Sequence, residues 1–289
     1  MNVLPRDKQI QIITALVEGC SIRSIERMYD VHRDTITRLM IRTGQHCMSI
    51  MDETIRDVPA GVIQCDEIWT YVRKKDKHLN QIERHNPVIG SQFIFVAMDA
   101  DTKLVPCYQV GKRIPEIANG FMLNLRERLV GRPTIITDGF GPYLDAVELA
   151  FGQNVKFAQL IKTVSESRRP VREGYAPARV VRCDKQPIYG NPDPALISTS
   201  LIERQNLTMR MSMRRLTRLC NGFSKKLDNL KAATALHFAN YNFCRVHGSL
   251  RVTPRYGRWD RILDLGNWRP SKLGHYPCGR GRCRGRQSL

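Results

Sequence analysis

The stretch GVIQCDEIWTYV, residues 61–72, decides the fold that the rest of the sequence can adopt. It is rich in β-branched and aromatic residues and so predicts a strand. Two adjacent acids, Asp66 and Glu67, lie within it. Because neighbouring side chains on a strand point to opposite faces, we expect only Asp66 to enter a shared site and Glu67 to serve the other face.

The segments that follow predict further strands and helices around this one. Residues 92–112 predict two strands about the turn DADTK, and a helix begins near Pro115. The stretch PTIITDGF predicts a short buried strand ending at Asp138, with a helix after it, and residues 156–162 predict another strand. This order, β, β, β, α, β, α, β, α, predicts an α/β fold: a mixed β-sheet with flanking helices, as in ribonuclease-H-like proteins.

The second half of the chain predicts an insertion followed by helices. Residues 163–197 contain five prolines and predict an inserted loop without regular structure. A long helix is expected to start near Ser198 or Ser200 and to run through STSLIERQNLTMRMSMRRLTRL, and a further helix spans about 227–242.

The first residues predict a small all-α domain ahead of the sheet. A helix is expected over residues 7–18, and in SIRSIERMYDVHRDTITRLMIRTG (21–44) apolar residues recur as in two short helices that share a core. Ser21 is suited to cap the first of these and Asp30 to take the turn conformation, although Glu26 replaces the small residue usual at such a crossing. The pattern favours a helix-turn-helix that binds DNA over an ordinary helical hairpin, and the candidate contacts to bases or phosphates are Arg33, Thr35, Thr37 and Arg38.

Composition favours a polyanionic partner. The chain has 46 Lys and Arg against 27 acids, a net charge of +19, and phosphate neutralisation supplies most non-specific affinity for nucleic acid. No apolar run is long enough for a membrane span and no secretory signal is apparent, so we expect a cytoplasmic, nucleoid-associated bacterial protein. Nine scattered cysteines without a CxxC pair favour a reducing compartment, and Cys278 and Cys283 give only a weak indication of metal binding.

Three acids from distant segments form a candidate metal site. In a sheet whose first and fourth strands are neighbours, Asp66, Asp138 and the helical Glu203 can converge. Three uncompensated carboxylates repel one another, so Mg²⁺ or Mn²⁺, as a pair of ions, is the natural explanation. The alternative is that all three are ordinary surface acids, and Glu67, Asp99 and others compete with them.

The late helix adds a basic surface to this candidate site. Arg210 and Arg214 fall on the same helical stripe as Glu203. Residues 204–231 carry eight basic side chains, Lys225 and Lys226 among them, against one acid. A surface of one sign beside a metal ligand is suited to a phosphate backbone.

At these residues the chain resembles transposases of the IS1 type, within the class of DDE transposases and retroviral-type integrases. The resemblance covers about residues 2–254, and three pieces carry it: CSIRSIERMYDVHRDTITRL, the DEIW at 66–69, and SLIERQNLTMRMSMRRLTR followed by FSKK and YNFCRVHGSLRVTP. It implies that Asp66, Asp138 and Glu203 are the metal-binding catalytic triad. The residues that it places near the DNA are Arg204, Asn206, Arg210 and Arg214. His247 lies in a segment similar to one near the active site, or has a structural role.

The resemblance implies a DNA transposase that binds the terminal inverted repeats of an insertion sequence, cleaves DNA and joins strands, as a homo-oligomer on double-stranded DNA. A helix-turn-helix regulator without catalysis and a metal-dependent nuclease are the alternatives. The expected divisions are a DNA-binding domain at 1–46, a connector at 47–60, a catalytic domain at 61–254 and a basic tail at 255–289. The zinc ribbon of some relatives is absent, and the tail is either a shifted reading frame or a genuine basic arm.

Overall fold

The structure, a computed structural model, describes residues 4–59, 61–164, 180–218 and 220–256. Its α-helices are, in chain order, α1 (Arg6–Val17), α2 (Ile22–Tyr29), α3 (Arg33–Thr54), α4 (Gln81–Arg84), α5 (Pro115–Arg128), α6 (Tyr143–Phe151), α7 (Ser200–Ser212) and α8 (Leu227–Ala239). Its strands are β1 (Val58–Pro59), β2 (Val62–Val72), β3 (Gly90–Asp99), β4 (Cys107–Gly111), β5 (Leu129–Val130), β6 (Thr134–Thr137), β7 (Lys156–Val164) and β8 (Val180–Tyr189).

Six of these strands form a mixed sheet in the order β4-β3-β2-β6-β7-β8. Strands β2, β3 and β4 are antiparallel neighbours, whereas β6 is parallel to both β2 and β7. Helices α5 and α6 contribute Phe121 and Tyr143 to the main core, which also contains Ile202 of α7 and Phe238 of α8. The predicted α/β architecture, a mixed sheet with flanking helices, is confirmed.

The N-terminal helices adopt the local conformations that the sequence predicts. The Ser21 hydroxyl caps α2 by accepting a hydrogen bond from the Ser24 backbone, and Asp30 takes a left-handed conformation (φ 50°) between α2 and α3. Glu26, which departs from the expected small residue, has its own role: its Oε1 accepts a hydrogen bond from the Arg33 backbone N–H at 3.0 Å and so caps α3. A separate small core, with Ile12, Ile25, Ile36 and Leu39 among its buried residues, holds α1, α2 and the start of α3 together.

Helix α3 joins this small core to the main one. It continues without a break past residue 46, where we expected a connector to begin, and its buried Met51 belongs to the main core. The buried Arg128 side chain caps its C-terminal end, with Nη1 donating to the Met51 and Ile55 carbonyls and Nη2 to Asp52 Oδ1 at 2.6 Å. Along the helix, Gly44 lies directly against the backbone of Ala232 in α8.

Two expectations for the second half of the chain are wrong. The proline-rich segment contains a regular element, because β8 pairs antiparallel with β7, and its Pro187 lies beside a register shift opposite Ala158. Helix α7 ends at Ser212, short of the predicted length, since Met213 adopts an extended backbone (φ −116°, ψ 104°). Arg214 therefore starts a short 3-10 helix and does not share the α7 stripe with Glu203.

The remaining predictions concern the membrane and the chain's tail. Among the described residues, no helix is both apolar enough and long enough to span a bilayer. Most of the basic tail, including Cys278 and Cys283, lies outside the described residues, as does part of the proline-rich segment.

We expect Gly44→Ala to destabilise the protein, although alanine is favoured over glycine in a helix by about 1 kcal/mol. An added Cβ would lie 2.3 Å from the Ala232 carbonyl oxygen, so α3 and α8 would have to separate. The matched control is Gly120→Ala in α5, where the nearest atoms belong to the flexible Gln109 side chain. Urea unfolding of both variants measures the effect, and equal stability of the two would show that the helices do not pack as closely as described.

Candidate metal centre

The candidate site lies where the parallel pairing between β2 and β6 stops. These strands are in register over Val62–Gln64 only, and β6 ends at Thr137. Asp138 comes next and continues the register that pairs Val62 with Thr134, which brings it level with Asp66. Beyond Gln64 the edge of β2 has no β6 neighbour, so side chains there have room to approach one another.

Three carboxylates meet at this open edge. One oxygen each from Asp66, Glu67 and Asp138 lies within 4.8 Å of the other two. The expectation that Glu67 cannot share a site with Asp66 is therefore wrong. Alternation places the Cβ atoms of neighbouring residues on opposite faces of the sheet. Because β6 has ended at this point, both carboxyl groups have space beside β2 and can approach each other there. Asp66 bends back so far that its Oδ1 accepts a hydrogen bond from the Glu67 backbone N–H at 2.9 Å.

The surroundings of the cluster disfavour negative charge on all three groups. Burial, with the nearby Asp138 charge adding to it, raises the pKa of Asp66 to about 6 and the pKa of Glu67 to about 7. Burial also raises the pKa of Asp138. The Glu67 side chain is only 3% exposed, and the buried Tyr143 hydroxyl lies against its carboxylate and partly offsets the rise in its pKa. Three partly buried acids brought this close together fit a hard divalent cation.

Arg113 is a counter-charge to the cluster that sequence reasoning missed. Its guanidinium donates to Glu67 Oε2 at 3.2 Å and to Asp138 Oδ2 at 3.3 Å. The same group lies 4.0 Å from the ring centroid of Phe140 and 5.9 Å from that of Phe93, which fixes its plane. Arg113 follows β4, and only the pairing of β4 with β3 and of β3 with β2 brings it to the site.

Helix α7 is held against β2 by a polar contact to its first turn. The buried side chain of Gln64 accepts hydrogen bonds from the Leu201 and Ile202 backbone N–H groups, both at 3.1 Å. One turn further along, Asn206 Nδ2 donates to Asp66 Oδ2 at 2.8 Å. The structure thus brings Asn206, one of the residues singled out in the sequence, into contact with the cluster.

Glu203 lies near the cluster but does not join it. Its carboxylate forms an ion pair with Lys162 of β7 and accepts a hydrogen bond from the Thr199 hydroxyl at 2.6 Å. Its negative charge nevertheless contributes to the raised pKa of Asp66. Lys162 is a basic residue that sequence reasoning missed, and its ammonium group pairs with the Glu203 carboxylate.

The residues predicted to contact DNA are mostly at the surface. Arg33, Arg38, Arg204, Arg214, Lys225 and Lys226 are exposed, Thr35 and Thr37 are partly exposed, and Arg210 donates to the Leu216 carbonyl at 3.3 Å. Within α3, the Arg38 guanidinium reaches the Thr35 hydroxyl, and Thr37 bonds to the Arg33 carbonyl. The candidates on α3 thus form a group at one end of that helix, apart from those on α7 and beyond it.

The described contacts of His247 are structural. Its Nδ1 pairs with the Ser249 hydroxyl at 3.0 Å, its backbone N–H donates to Val252, and its ring lies edge-on to Tyr241. Asn242, from the same sequence block, is fully buried and exchanges hydrogen bonds with the Val105 backbone. This block therefore fastens the turn between β3 and β4.

Comparison with known proteins leaves the family open. No family model matches the sequence, and no curated protein matches it. Among solved structures, a piggyBac transposase synaptic complex with hairpin DNA, determined by cryo-EM, is similar with a TM-score of 0.37 and 9% identity, over 93% of this chain and 76% of that chain. A likeness of this size carries no argument about function, so the functional assignment rests on the chain's own residues.

The pH dependence of stability provides a test of the cluster in metal-free protein. Glu67 has a pKa of about 7 when folded and an ordinary value of 4.5, so between these values the folded state binds more protons than the unfolded state. Its contribution to stability is therefore lost as pH rises from 4.5 to about 7. We expect Glu67→Gln to remove this loss, so that from pH 4.5 to pH 8 the variant gains roughly 1–3 kcal/mol relative to wild type. Urea unfolding across this range, with the exposed Glu53→Gln as control, measures it, and parallel curves for wild type and Glu67→Gln would contradict it.

We expect Arg113→Met to increase the affinity for Mn²⁺ roughly tenfold, as loss of about 1.4 kcal/mol of competing attraction would. A guanidinium and a divalent cation would compete for the carboxylates of Glu67 and Asp138. Calorimetric titration with Mn²⁺ gives the affinity, and Arg132→Met, at an exposed position, is the matched control. Weaker binding in Arg113→Met would mean that the guanidinium arranges the carboxylates for the ion instead of competing with it.

Proposed function

We propose that the chain is a DNA transposase of the IS1 type, which binds the terminal inverted repeats of an insertion sequence and catalyses metal-dependent DNA cleavage and strand transfer. The observation that carries the proposal is the cluster of Asp66, Glu67 and Asp138 at the open edge of a mixed sheet. Their proximity and their raised pKa values indicate a group of acids arranged for a cation. The net charge of +19 favours a polyanionic substrate beside it.

The chain's own residues divide the work of such a site. Asp66 and Asp138 would hold Mg²⁺ or Mn²⁺, and Glu67 is the third carboxylate of the observed cluster. The resemblance instead names Glu203 as the third member of the catalytic triad, so Glu203 is a further candidate ligand. A pair of such ions held by these residues would supply activation of an attacking hydroxyl and stabilisation of the leaving oxygen of a phosphodiester. Asn206 orients Asp66 by donating to its Oδ2 at 2.8 Å, and the Glu67 backbone N–H donates to its Oδ1 at 2.9 Å.

Two basic surfaces support a DNA substrate. The N-terminal helices carry Arg33, Thr35, Thr37 and Arg38 at one end of α3, and Glu26 fixes the first turn of that helix. We infer that this end enters DNA as a recognition helix, within the domain at 1–46. The second surface includes Arg204, Arg210 and Arg214 with Lys225 and Lys226, and we infer that it follows the backbone of the strand being cut.

The proposal also covers assembly. Two element ends must be held together for strand transfer, so we infer a homo-oligomer on double-stranded DNA. The catalytic domain would span 61–254 after the connector at 47–60, and the basic tail at 255–289 would add electrostatic affinity for DNA.

The proposal is tested by incubating purified protein with labelled DNA from either side of its gene, a target plasmid and Mg²⁺. Wild type should produce joined products, and Asp66→Asn and Asp138→Asn should lower their rate by on the order of 100-fold or more. Comparison of Glu67→Gln with Glu203→Gln shows which acid completes the site, and the exposed Glu53→Gln is the control.

The alternative functions give distinct results in the same experiment. Metal-dependent cleavage without joining identifies a nuclease. A DNA mobility shift without any metal-dependent product identifies a regulator that keeps the fold and has lost the chemistry. Either result overturns the transposase.

A further inference from the structure

A row of aromatic rings, with Trp69 exposed and the others partly exposed, extends from the acid cluster along β2. We call it the aromatic shelf and define it as Trp69, Tyr71, Phe93 and Phe223. Trp69 pairs across the strands with Phe93, so both side chains lie on the sheet face that also carries Glu67. The Trp69 and Tyr71 rings are 5.7 Å apart, and Tyr71 stacks on Phe223 at 4.9 Å with 29° between the planes.

The shelf is rigid and open to solvent. Trp69 is 40% exposed, while its indole N–H donates to the Ser91 hydroxyl at 3.0 Å and so holds the ring in one orientation. Phe223 is fixed through its neighbour Ser224, which is buried, forms a parallel bridge with Val72 and accepts a hydrogen bond from the Arg73 backbone N–H at 2.9 Å. An exposed tryptophan that is held in place offers a planar surface with little entropy left to lose on binding.

Basic side chains surround these rings. Lys75 lies 5.5 Å from the Tyr71 ring centroid, and the exposed Lys225 and Lys226 follow Ser224 directly. From Phe93 and Ser91 an open groove of about 800 Å³ continues, and its lining includes Lys77, Arg84 and Lys112. Asp76 also lines this groove, and its Oδ1 accepts a hydrogen bond from the Ser91 backbone N–H.

The shelf is continuous with the acid cluster. Arg113 is in contact with both, since its guanidinium faces the Phe93 ring at 5.9 Å and bonds to Glu67 and Asp138. A ligand on the shelf would therefore lie next to the carboxylates. Its chemistry should combine flat aromatic groups, which stack on the rings, with negative charges for the lysines and arginines.

We propose that the aromatic shelf binds unpaired bases of a DNA strand that enters or leaves the acid cluster. Bases inside a duplex are already stacked on one another and cannot reach these rings, so the occupant is single-stranded. The phosphates of that strand lie along Lys75, Lys225 and Lys226, and its bases lie on Trp69 and Tyr71. This inference deepens the proposed function and rests on it for the identity of the nucleic acid.

The test compares three DNA ligands in EDTA, where no cleavage occurs. These are a blunt duplex, the same duplex with a short single-stranded extension, and that duplex with an abasic extension of equal length. The abasic ligand keeps every phosphate and removes the bases, so the difference between the two extended ligands isolates stacking. Extensions at the 3′ and at the 5′ end are both measured.

Wild type should bind the base-bearing extension about tenfold more tightly than the abasic one, as one or two stacked bases provide. Trp69→Ala should abolish this preference and leave affinity for the blunt duplex unchanged, and Trp69→Phe should keep part of it. Phe223→Leu is a second variant that spares Trp69, and circular dichroism checks the folding of each variant. Leu149→Ala, at an exposed apolar position of α6 outside the shelf, is the control.

Three outcomes overturn the proposal: wild type that does not distinguish the two extensions, shelf variants that keep the full preference, or a Trp69→Ala protein that changes only from oligomer to monomer. The last result would make the shelf an interface between copies of the chain. Cleavage in Mg²⁺ is measured separately, so wild-type protein that cleaves DNA but shows no preference for the base-bearing extension refutes the shelf alone. A Trp69-dependent preference without any metal-dependent product refutes the proposed function and leaves the shelf as a single-strand binding site.

Discussion

The short parallel pairing between β2 and β6 is the constraint on which the site depends. The pairing ends at Gln64 and Ile136, and everything at the centre follows from that early end. Asp138 is placed level with Asp66, Glu67 gains space to turn toward both, and the far end of the same edge is left for Ser224 to bridge. Had β6 been a few residues longer, its backbone would have filled the space that the carboxylates now share.

Charge at the cluster is balanced by groups that come from elsewhere in the chain. Arg113 reaches the cluster from the end of β4, and Lys162 reaches Glu203 from β7. In a strongly basic protein, acidic groups can pair with lysine and arginine side chains. A metal ion would have to compete with those side chains for the carboxylates. The carboxylates are therefore partly paired with the chain's own basic groups, which reduces their mutual repulsion.

Sequence reasoning was successful where one local signal determined the outcome. The left-handed turn at Asp30 and the placement of Asp138 after a short buried strand both follow from residue chemistry over a few positions. Glu67 was misjudged because side-chain alternation says nothing about where a neighbouring strand ends. The early end of α7 was also not predicted, because no glycine or proline directly follows Ser212. The helix ends there because the Met213 backbone is extended. Arg113 could not be found at all, since its position depends on the pairing of three strands.

Helix α3 has a mechanical consequence. It is 22 residues long, which corresponds to a rod of about 33 Å, and its two halves are embedded in different cores. Gly44 lets the rod lie directly on α8, and Arg128 fixes its far end. A molecule bound at the Arg33 end of α3 would therefore lie at a fixed distance from the carboxylates. Under the proposed function, the length of α3 would set the spacing between the DNA sequence that is recognised and the phosphodiester bond that is cut.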